Sequence, residues 1–448
     1  MSEERFTGSF TQQPPIPEAG ISAATEVLRH GRLHRYNLAE GEAGEVALLE
    51  EEFARYTGAR YCLAVASGGY AMGCALRALG VGPGATVLSN AFTLAPVPGA
   101  IASLGARPVF VETTEALTID LDHLAAQAGA HPDARVLLVS HMRGHMADMD
   151  VLTEAARAHD LTVVEDCAHT MGARWRGVPS GRHGAIGCYS TQTYKHMNSG
   201  EGGLIVTDDA TLAARMILLS GSYMLYRRHG AAPPPEAFEG IALDTPNVSG
   251  RMDNLRAAIL RPQLADLDAR CAAWTERYRM VERGLSGTPG LRLIERPQAE
   301  AFVGSSFQFL LPGWGAERIE ALLAAWDTAP RSGSDPRARI EEFVRFHIRH
   351  HLGRVDGAFI VHMELRNLSP ENLQKVERLR RLWEGVVEDI IHDGVEVGQF
   401  RVEEPRIASL ALIAMLTGVT TWYRAGGRLP PERIEQIYCG IALRAVGA

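Results

Sequence analysis

Short apolar runs alternate with stretches of helical periodicity over the first half of the chain. The runs are four to six residues long and are typical of buried β-strands, whereas the stretches between them carry apolar residues at spacings of three and four. The predicted strands are residues 61–66, 86–89, 108–111, 136–140 and 161–164. Strands that alternate with helices are joined by parallel crossovers, so the pattern predicts an α/β fold with a doubly wound, mostly parallel sheet.

The pattern changes beyond residue 206. One long helical stretch is predicted at 252–284, with a kink at Pro262, and it is followed by two β-type runs at 291–295 and 306–311 and a helix at 316–326. From residue 337 onward only helices are predicted. They are residues 337–352, 357–367, 370–393, 404–424 and 431–446.

These changes in pattern predict four segments. The large domain spans residues 1–250, and a partial small domain spans 251–326. A linker rich in proline, glycine and serine follows at 327–336, and an all-helical domain occupies 337–448.

Composition narrows the class of protein. The 448-residue chain has a net charge of −8, which argues against a general nucleic-acid-binding surface. Its six cysteines include no C-x-x-C pair and are typical of reduced thiols in a cytosolic protein. The polar, proline-rich start predicts no signal peptide, and no apolar run approaches the roughly 18 residues of a membrane span. We therefore expect a cytoplasmic protein that binds neither nucleic acid nor membrane.

Residues 163–207 carry the candidate chemistry. A β-type run ends on two carboxylates, the second of which is Asp166, and a hydroxyl-rich run at 190–194 leads to Lys195 and a glycine-rich turn at 200–203. Pyridoxal 5'-phosphate needs these groups. A lysine forms its Schiff base, an acid keeps its pyridine nitrogen protonated, and hydroxyls with glycine amides hold its phosphate.

A second glycine turn follows the first predicted strand. Ser67, Gly68 and Gly69 separate that strand from a helix that begins at Tyr70. Backbone amides and the positive end of a helix meet at such a turn, which makes it an anion site. Ser190, at the end of a later strand, is a further candidate ligand for the same phosphate.

Each candidate residue also has an ordinary structural explanation. Lys195 is then a surface lysine, Asp166 a helix N-cap and Ser190 a turn serine. His169 either contacts the cofactor ring or is a core or surface histidine, and Phe92 either stacks on the cofactor or fills the core. Because ligands of parallel sheets lie at the carboxyl ends of the strands, the grouping of these residues favours the cofactor site.

A metal site is also conceivable around the segment 141–148. His141 and His145 are four residues apart and Asp148 follows them. The segment between the two histidines contains a glycine and need not form the helix that would bring them together, so we predict no metal.

The sequence resembles the DegT/StrS-type sugar aminotransferases, which are fold type I pyridoxal phosphate enzymes. The resemblance covers roughly residues 1–326, and its motifs occur in order along the chain. They are 50–54 with 56–59, 66–71, 78–84, Gly144 with 147–150, 165–168, Lys195, 200–203 and 247–258.

The resemblance implies a role for each matching residue. Lys195 forms the Schiff base with the cofactor, and Asp166 pairs with the pyridinium nitrogen. Gly69 and Tyr70 offer backbone amides to the phosphate, and Ser190 offers its hydroxyl.

The family pattern also implies a homodimer with shared active sites, and Phe92 occupies the position that stacks on the cofactor.

The chain departs from the family pattern at three positions. Gly69 stands where threonine is usual, so one phosphate hydroxyl is missing, and His169 stands where glutamine is usual. Ser249 stands where an asparagine from the neighbouring chain contacts the phosphate, and Asn247 is close enough in sequence to substitute for it.

The implied reaction moves an amino group from glutamate or glutamine to a keto-sugar or keto-cyclitol. A sister group of dehydratases carries histidine in place of the Schiff-base lysine, so Lys195 favours transamination. In this family the small domain continues well past the position of residue 326, whereas here it breaks off after two β-type runs and one helix.

From about residue 337 the chain resembles the ligand-binding region of TetR-type repressors. The similar motifs are 345–347, 389–391, 394–400, and 421–424 with 426–429. No helix-turn-helix pattern precedes them, so DNA binding is not implied. Two alternatives to an active enzyme follow: a catalytically impaired protein that binds pyridoxal phosphate or dimerises and has a helical ligand-sensing tail, and a fragment of a TetR-like regulator.

Overall fold

The computed structural model describes residues 13–316, 319–320, 335–352, 370–419, 423 and 427–448. The chain divides into two compact units, Met1–Pro312 and Gly313–Ala448. The predicted helix 357–367, most of the predicted linker and of the helix 316–326, and most of the motif 421–424 lie outside the described residues.

The first unit contains nine described α-helices and twelve strands. The helices are α1 Glu18–His30, α2 Glu45–Thr57, α3 Gly68–Ala78, α4 Pro96–Ala102, α5 Leu121–Ala130, α6 Met149–Ala158, α7 Ala210–Ile217, α8 Asn254–Ala265 and α9 Leu267–Leu285. The strands are β1 Tyr61–Val65, β2 Thr86–Asn90, β3 Arg107–Val111, β4 Val136–Ser140, β5 Thr162–Asp166, β6 Arg174–Trp175, β7 Val178–Pro179, β8 Ile186–Ser190, β9 Gly203–Thr207, β10 Arg292–Leu293, β11 Glu300–Ala301 and β12 Phe309–Leu310.

A seven-stranded sheet with the order β1-β9-β8-β5-β4-β2-β3 forms the centre of this unit. The five strands from β8 to β3 run parallel, and β9 lies antiparallel between β8 and β1. The predicted doubly wound, mostly parallel α/β sheet is therefore confirmed. In the register, Asp166 at the end of β5 lies opposite Ser140 at the end of β4.

Both faces of the sheet are covered by helices. On β1, Cys62 and Ala64 belong to one buried cluster and Leu63 and Val65 to the other, as the two-residue period of a strand requires. The first cluster includes Leu49, Leu124, Leu152 and Leu260 from α2, α5, α6 and α8, and the second includes Ala75, Ile101 and Met216 from α3, α4 and α7. Burial on both faces explains why the strands are continuous apolar runs.

Polar side chains cap the helices that follow the strands. The Ser67 hydroxyl accepts the amide of Tyr70 at the start of α3. The Asp148 carboxylate accepts the amides of Asp150 and Val151 at the start of α6. Caps of this kind fix where each helix begins and hence where the preceding turn lies.

The small-domain part differs from its prediction in two places. The expected helix 252–284 is two helices, and the break lies at Asp266 (φ −97°, ψ 1°) rather than at Pro262, which remains inside α8. Aspartate is a poor residue for a helix interior, which accounts for a break at that point. The two predicted β-type runs pair as β10 and β12, and β11 joins β6 and β7 in a small sheet that the sequence pattern did not indicate.

The described part of the second unit is helical, as predicted. Its helices are α10 Pro336–Leu352, α11 Pro370–Glu396, α12 Pro405–Thr417 and α13 Pro431–Ala445. Residues such as Ile340, Val387, Leu416 and Leu443 form its buried core. None of the helices in the described parts of the chain combines the length and hydropathy that crossing a membrane requires.

Candidate active site

Four parallel strands end at one edge of the sheet on buried polar residues. Asn90, Ser140, Asp166 and Ser190 are the last residues of β2, β4, β5 and β8, and each is at most 8% exposed. The side chain of Asn90 joins two of these ends, because it donates to the Ser140 carbonyl at 3.0 Å and accepts the Ser140 amide at 2.7 Å. The carboxyl edge of the sheet is therefore a polar surface built on rigid strands.

Asp166 is held in one orientation by two donors. The Ser140 hydroxyl donates to Oδ2 at 2.7 Å, and the amide of Ala168 donates to Oδ1 at 3.1 Å. Both bonds require an acceptor, which an ionised carboxylate provides. The result is a fixed negative charge at the end of β5.

Lys195 lies in the loop between β8 and β9, which is braced from both sides. Within the loop, the Ser199 amide donates to the Thr191 carbonyl at 2.9 Å. Gln263 of α8 accepts the amide of Asn198 at 2.9 Å and donates to its carbonyl at 2.8 Å. These contacts present the half-buried Lys195 from a defined backbone.

The amine of Lys195 faces His169. The two nitrogens, Nζ and Nε2, are 2.7 Å apart, and the backbone amide of Arg143 donates to Nδ1 of the same ring at 3.0 Å. A neutral ring that accepts at Nδ1 carries its proton on Nε2. That proton points at Nζ, so the arrangement suits an unprotonated lysine amine.

Burial and nearby positive charge lower the pKa of both members of this pair. Burial, followed by the positive charges of Lys195 and Arg143, lowers the pKa of His169 to about 3, so the ring is neutral near pH 7. Burial also lowers the pKa of Lys195; the negative charge of Asp166 opposes that shift, and the positive charge of Arg143 adds to it. A lysine with a lowered pKa is a better nucleophile and proton acceptor at neutral pH.

The turn between β1 and α3 has two amides to offer a ligand. The amide of Tyr70 already donates to the Ser67 hydroxyl. The amides of Gly68 and Gly69 have no acceptor among the described residues. They lie in the first turn of an eleven-residue helix, where orphan amides and the helix dipole favour an anion.

Glycine is required where this turn meets the neighbouring strands. A Cβ at Gly68 would lie 2.8 Å from the Cβ of Ser190, and a Cβ at Gly203 would lie 2.5 Å from the Ser67 carbonyl oxygen. Both distances are shorter than side chains tolerate. The two glycines thus bring the Ser67 turn against β8 and β9, beside the Lys195 loop.

The remaining predicted residues lie at the margins. The Phe92 backbone is held by Thr113 and Asn90, and its ring is half-buried. Asn247 and Ser249 are exposed, and within the described part of the chain neither makes a hydrogen bond to the other predicted cofactor residues.

Histidines near the site have separate partners. His141 Nε2 lies 3.1 Å from a carboxylate oxygen of Glu165, and His145 Nε2 lies 2.9 Å from Gln308. Glu165 also accepts the amides of Gly181, His183 and Gly184. The buried Glu165 therefore organises the 181–184 loop, and Asp148 acts as a helix cap.

Two signals in the sequence strengthen or extend the predicted site. The chain has only two lysines, Lys195 and Lys375, among its 45 basic residues. Because arginine is used almost everywhere else, the lysine at position 195 favours a specific role over that of an ordinary surface residue. Ser140 and Asn90 were not predicted as site residues. Their signal is the one that marks Asp166: a polar residue that closes an apolar strand of a parallel sheet.

Two family profiles match the chain. The DegT/DnrJ/EryC1/StrS aminotransferase family matches residues 16–321. The tetracyclin repressor-like C-terminal domain matches residues 333–446. Both predicted resemblances are therefore confirmed.

Individual relatives agree with the first match. A 3-amino-5-hydroxybenzoate synthase from Amycolatopsis mediterranei (strain S699) is 32% identical over 324 residues, which are 71% of this chain and 79% of that protein. An L-glutamine:2-deoxy-scyllo-inosose aminotransferase from Streptomyces lividus is 34% identical over 262 residues, 58% of this chain and 61% of that protein. The crystal structure of DesV from S. venezuelae superposes with a TM-score of 0.58 and 31% identity, over 68% of this chain and 77% of that one.

Proposed function

The chain belongs to the DegT/DnrJ/EryC1/StrS aminotransferase family, whose fold type I members depend on pyridoxal phosphate, and we propose that it transfers an amino group from an amino acid to a keto-sugar or keto-cyclitol. Glutamine or glutamate is the proposed donor, since the Streptomyces lividus relative is named for L-glutamine and a cyclitol. The observation that carries the proposal is the edge of the sheet on which Lys195, Asp166 and two glycine amides converge, the amides having no acceptor among the residues that the structure describes.

The residues present fit pyridoxal phosphate. The orphan amides of Gly68 and Gly69, with the hydroxyls of Ser67 and Ser190, provide donors for a phosphate. The fixed carboxylate of Asp166 suits a protonated ring nitrogen. When bound, the cofactor supplies an electron sink that stabilises negative charge at the carbon bearing the amine.

The other steps fall to the protein's own groups. Lys195 holds the cofactor and, once released by the donor amine, carries a proton between donor carbon and cofactor as general base and then general acid. Its lowered pKa suits the first role near neutral pH. His169 orients the free amine through the 2.7 Å contact, and Ser140 keeps Asp166 in place.

We further propose a cytoplasmic homodimer in which each protomer completes the other's site. The exposed Asn247 and Ser249 lie next to the β1–α3 turn, because the Tyr70 hydroxyl donates to the carbonyl of Val248 between them at 2.6 Å. Because both side chains are exposed, this position suits contact with a phosphate bound to a second copy. Sedimentation with and without the cofactor tests the assembly.

The function is tested spectroscopically on the full chain. Cofactor added to the protein should give the absorbance band of a protonated Schiff base, and L-glutamine or L-glutamate should discharge it. Borohydride reduction followed by peptide mapping should place the cofactor on one lysine. Lys195→Ala should lose the band and the label, whereas Lys375→Arg should retain both.

Two results would contradict the proposal. A protein that remains colourless with cofactor is not an enzyme of this kind. A protein that shows the band but reacts with no amino donor is the catalytically impaired cofactor-binding protein considered as the alternative.

A further inference from the structure

Arg143 has a backbone conformation that side chains rarely adopt. It lies in the turn Met142–Gly144 after β4 with φ 55° and ψ 20°, in the left-handed region. A non-glycine residue held there is strained and persists only where its surroundings impose the conformation. Such positions concentrate at functional sites.

Three contacts impose this conformation. The Arg143 amide donates to His169 Nδ1 at 3.0 Å, and the Gly144 amide donates to the His141 carbonyl at 3.1 Å. The Gly144 carbonyl accepts from the buried guanidinium of Arg296 at 2.6 Å. The turn is therefore tied to the same histidine that faces the Lys195 amine.

The Arg143 side chain projects from this turn at the protein surface. It is exposed, whereas Met142 and Gly144 on either side of it are buried. Within the described ranges, which omit 1–12, 317–318, 321–334, 353–369, 420–422 and 424–426, its guanidinium makes no hydrogen bond or ion pair. Its positive charge nevertheless lowers the pKa of both His169 and Lys195, so it lies within electrostatic reach of the reacting amine.

Arg176 provides a direct comparison. It is also an exposed arginine with a left-handed backbone, at φ 47°. Its guanidinium pairs with Asp150 at 2.8 Å. Arg143 has the same conformation and exposure, but no carboxylate among the described residues pairs with its guanidinium, and its backbone amide contacts the histidine that faces Lys195.

We infer that Arg143 binds the α-carboxylate of the amino-acid donor through its guanidinium. The inference rests on the proposed aminotransferase function and adds the residue that recognises the donor. An amino acid carries its carboxylate on the carbon whose proton Lys195 transfers, so a guanidinium on the turn that contacts His169 suits that carboxylate. Guanidinium and carboxylate groups match in a planar, two-bond geometry that a lysine does not reproduce.

Paired changes in enzyme and donor test the inference. The rate of discharge of the cofactor band is measured against concentration for L-glutamine and for L-glutamine α-amide, in which an amide replaces the carboxylate. Arg143→Gln should lower the apparent second-order rate constant for L-glutamine by roughly 10- to 100-fold, the value of a charged hydrogen bond. For the α-amide the same substitution should change it by no more than about twofold.

Three further variants separate charge from backbone strain. Arg143→Gly removes both the guanidinium and the backbone strain. Its rate constant for L-glutamine should therefore fall as in Arg143→Gln, and it should unfold at no lower urea concentration than the wild type. Arg143→Lys should restore only part of the rate constant. Arg176→Gln, which removes the other exposed arginine with a left-handed backbone, should leave the rate constant unchanged.

A second measurement needs no turnover. In cofactor-free protein, the pH dependence of amine labelling at Lys195 is read by peptide mapping, with Lys375 as internal reference. Removing the charge of Arg143 should raise the pH at which Lys195 becomes reactive. The carboxylate probe 4-carbamoylbutanoate should cause the same upward shift in the wild type but not in Arg143→Gln, and glutaramide should cause none.

The outcomes distinguish the two proposals. Equal loss of rate for both donors in Arg143→Gln, or no probe-dependent shift at Lys195, would overturn the role of Arg143. An unchanged donor reaction with a slowed transfer to the acceptor would overturn it as well, because the guanidinium would then serve the acceptor. A wild type that binds cofactor but reacts with neither donor refutes the aminotransferase, and the labelling experiment still decides whether Arg143 binds a carboxylate.

Discussion

Replacing Glu50 with glutamine should lower the free energy of unfolding of the first unit, Met1–Pro312, by several kcal/mol. The carboxylate lies in α2, fully buried. It accepts two guanidinium bonds from Arg35, both at 2.8 Å, and the amide of Ala64 in β1 at 2.8 Å, while His229 Nε2 lies 3.1 Å away. Because Ala64 precedes the Ser67 turn by three residues, the same carboxylate supports the candidate phosphate site.

Two separate calculations of this loss of unfolding free energy agree. Burial alone would raise the pKa of Glu50, but the charges and hydrogen bonds of Arg35 and His229 outweigh it and lower the pKa from 4.5 to about 2. At about 1.4 kcal/mol per pKa unit this depression corresponds to roughly 3 kcal/mol. Removing one partner of a buried ion pair costs roughly 3–5 kcal/mol, because the other charge stays buried and unpaired.

Urea unfolding measures the change in unfolding free energy, and hydrogen exchange of peptides from β1 then shows whether that strand is destabilised. The exposed neighbour Glu51 supplies the control, and Glu51→Gln should stay within about 0.5 kcal/mol of the wild type. The stabilisation by Glu50 is fully present above about pH 4.5 and is lost as the pH falls toward 2, because the folded-state pKa is the lower one. The difference between wild type and Glu50→Gln should therefore narrow below pH 4.5. A Glu50→Gln protein as stable as Glu51→Gln, or a pH-independent difference, would refute the reasoning.

Three other substitutions near the site have defined expectations. Gly203→Ala places a Cβ 2.5 Å from the Ser67 carbonyl oxygen, so it should lower stability by about 1–3 kcal/mol and weaken cofactor binding in a titration followed by absorbance. Gly69→Thr has room, since the nearest atom to its Cβ is 3.9 Å away, and it should slow cofactor release in dialysis by adding a hydroxyl; faster release would contradict this. His169→Ala removes the donor to the unprotonated amine and should raise the pKa of Lys195, seen as slower amine labelling at neutral pH.

The fold followed from the sequence because its signals are local. Apolar runs of four to six residues separated by helical spacing are the direct consequence of a sheet buried on both faces, and Cys62, Leu63, Ala64 and Val65 illustrate it by alternating between the two clusters. The polar ends of the strands were equally local signals. Lys195 and Asp166 could therefore be singled out, and the structure brings the strand ends and the lysine loop to one edge.

The supporting contacts could not be predicted because they join residues far apart in the chain. Gln263 braces Asn198 across 65 positions, and Glu50 pairs with His229 across a long stretch as well. The left-handed backbone of Arg143 is another example, since arginine has no preference for that conformation and contacts with distant residues such as His169 and Arg296 impose it. Such contacts depend on the topology of the sheet, which periodicity alone does not determine.

The frame of the candidate site is built from main-chain packing, and this explains where the chain departs from its family's pattern. Gly68 and Gly203 lie where any side chain would collide with Ser190 or Ser67. Gly69, by contrast, has room for a Cβ, whose nearest neighbour would be 3.9 Å away, and His169 lies between an amide and an amine to which glutamine can also hydrogen-bond. Both departures thus fall at positions where the packing of the main chain tolerates a different side chain, so we expect substitutions there to alter chemistry and substitutions at the two packed glycines to alter folding as well.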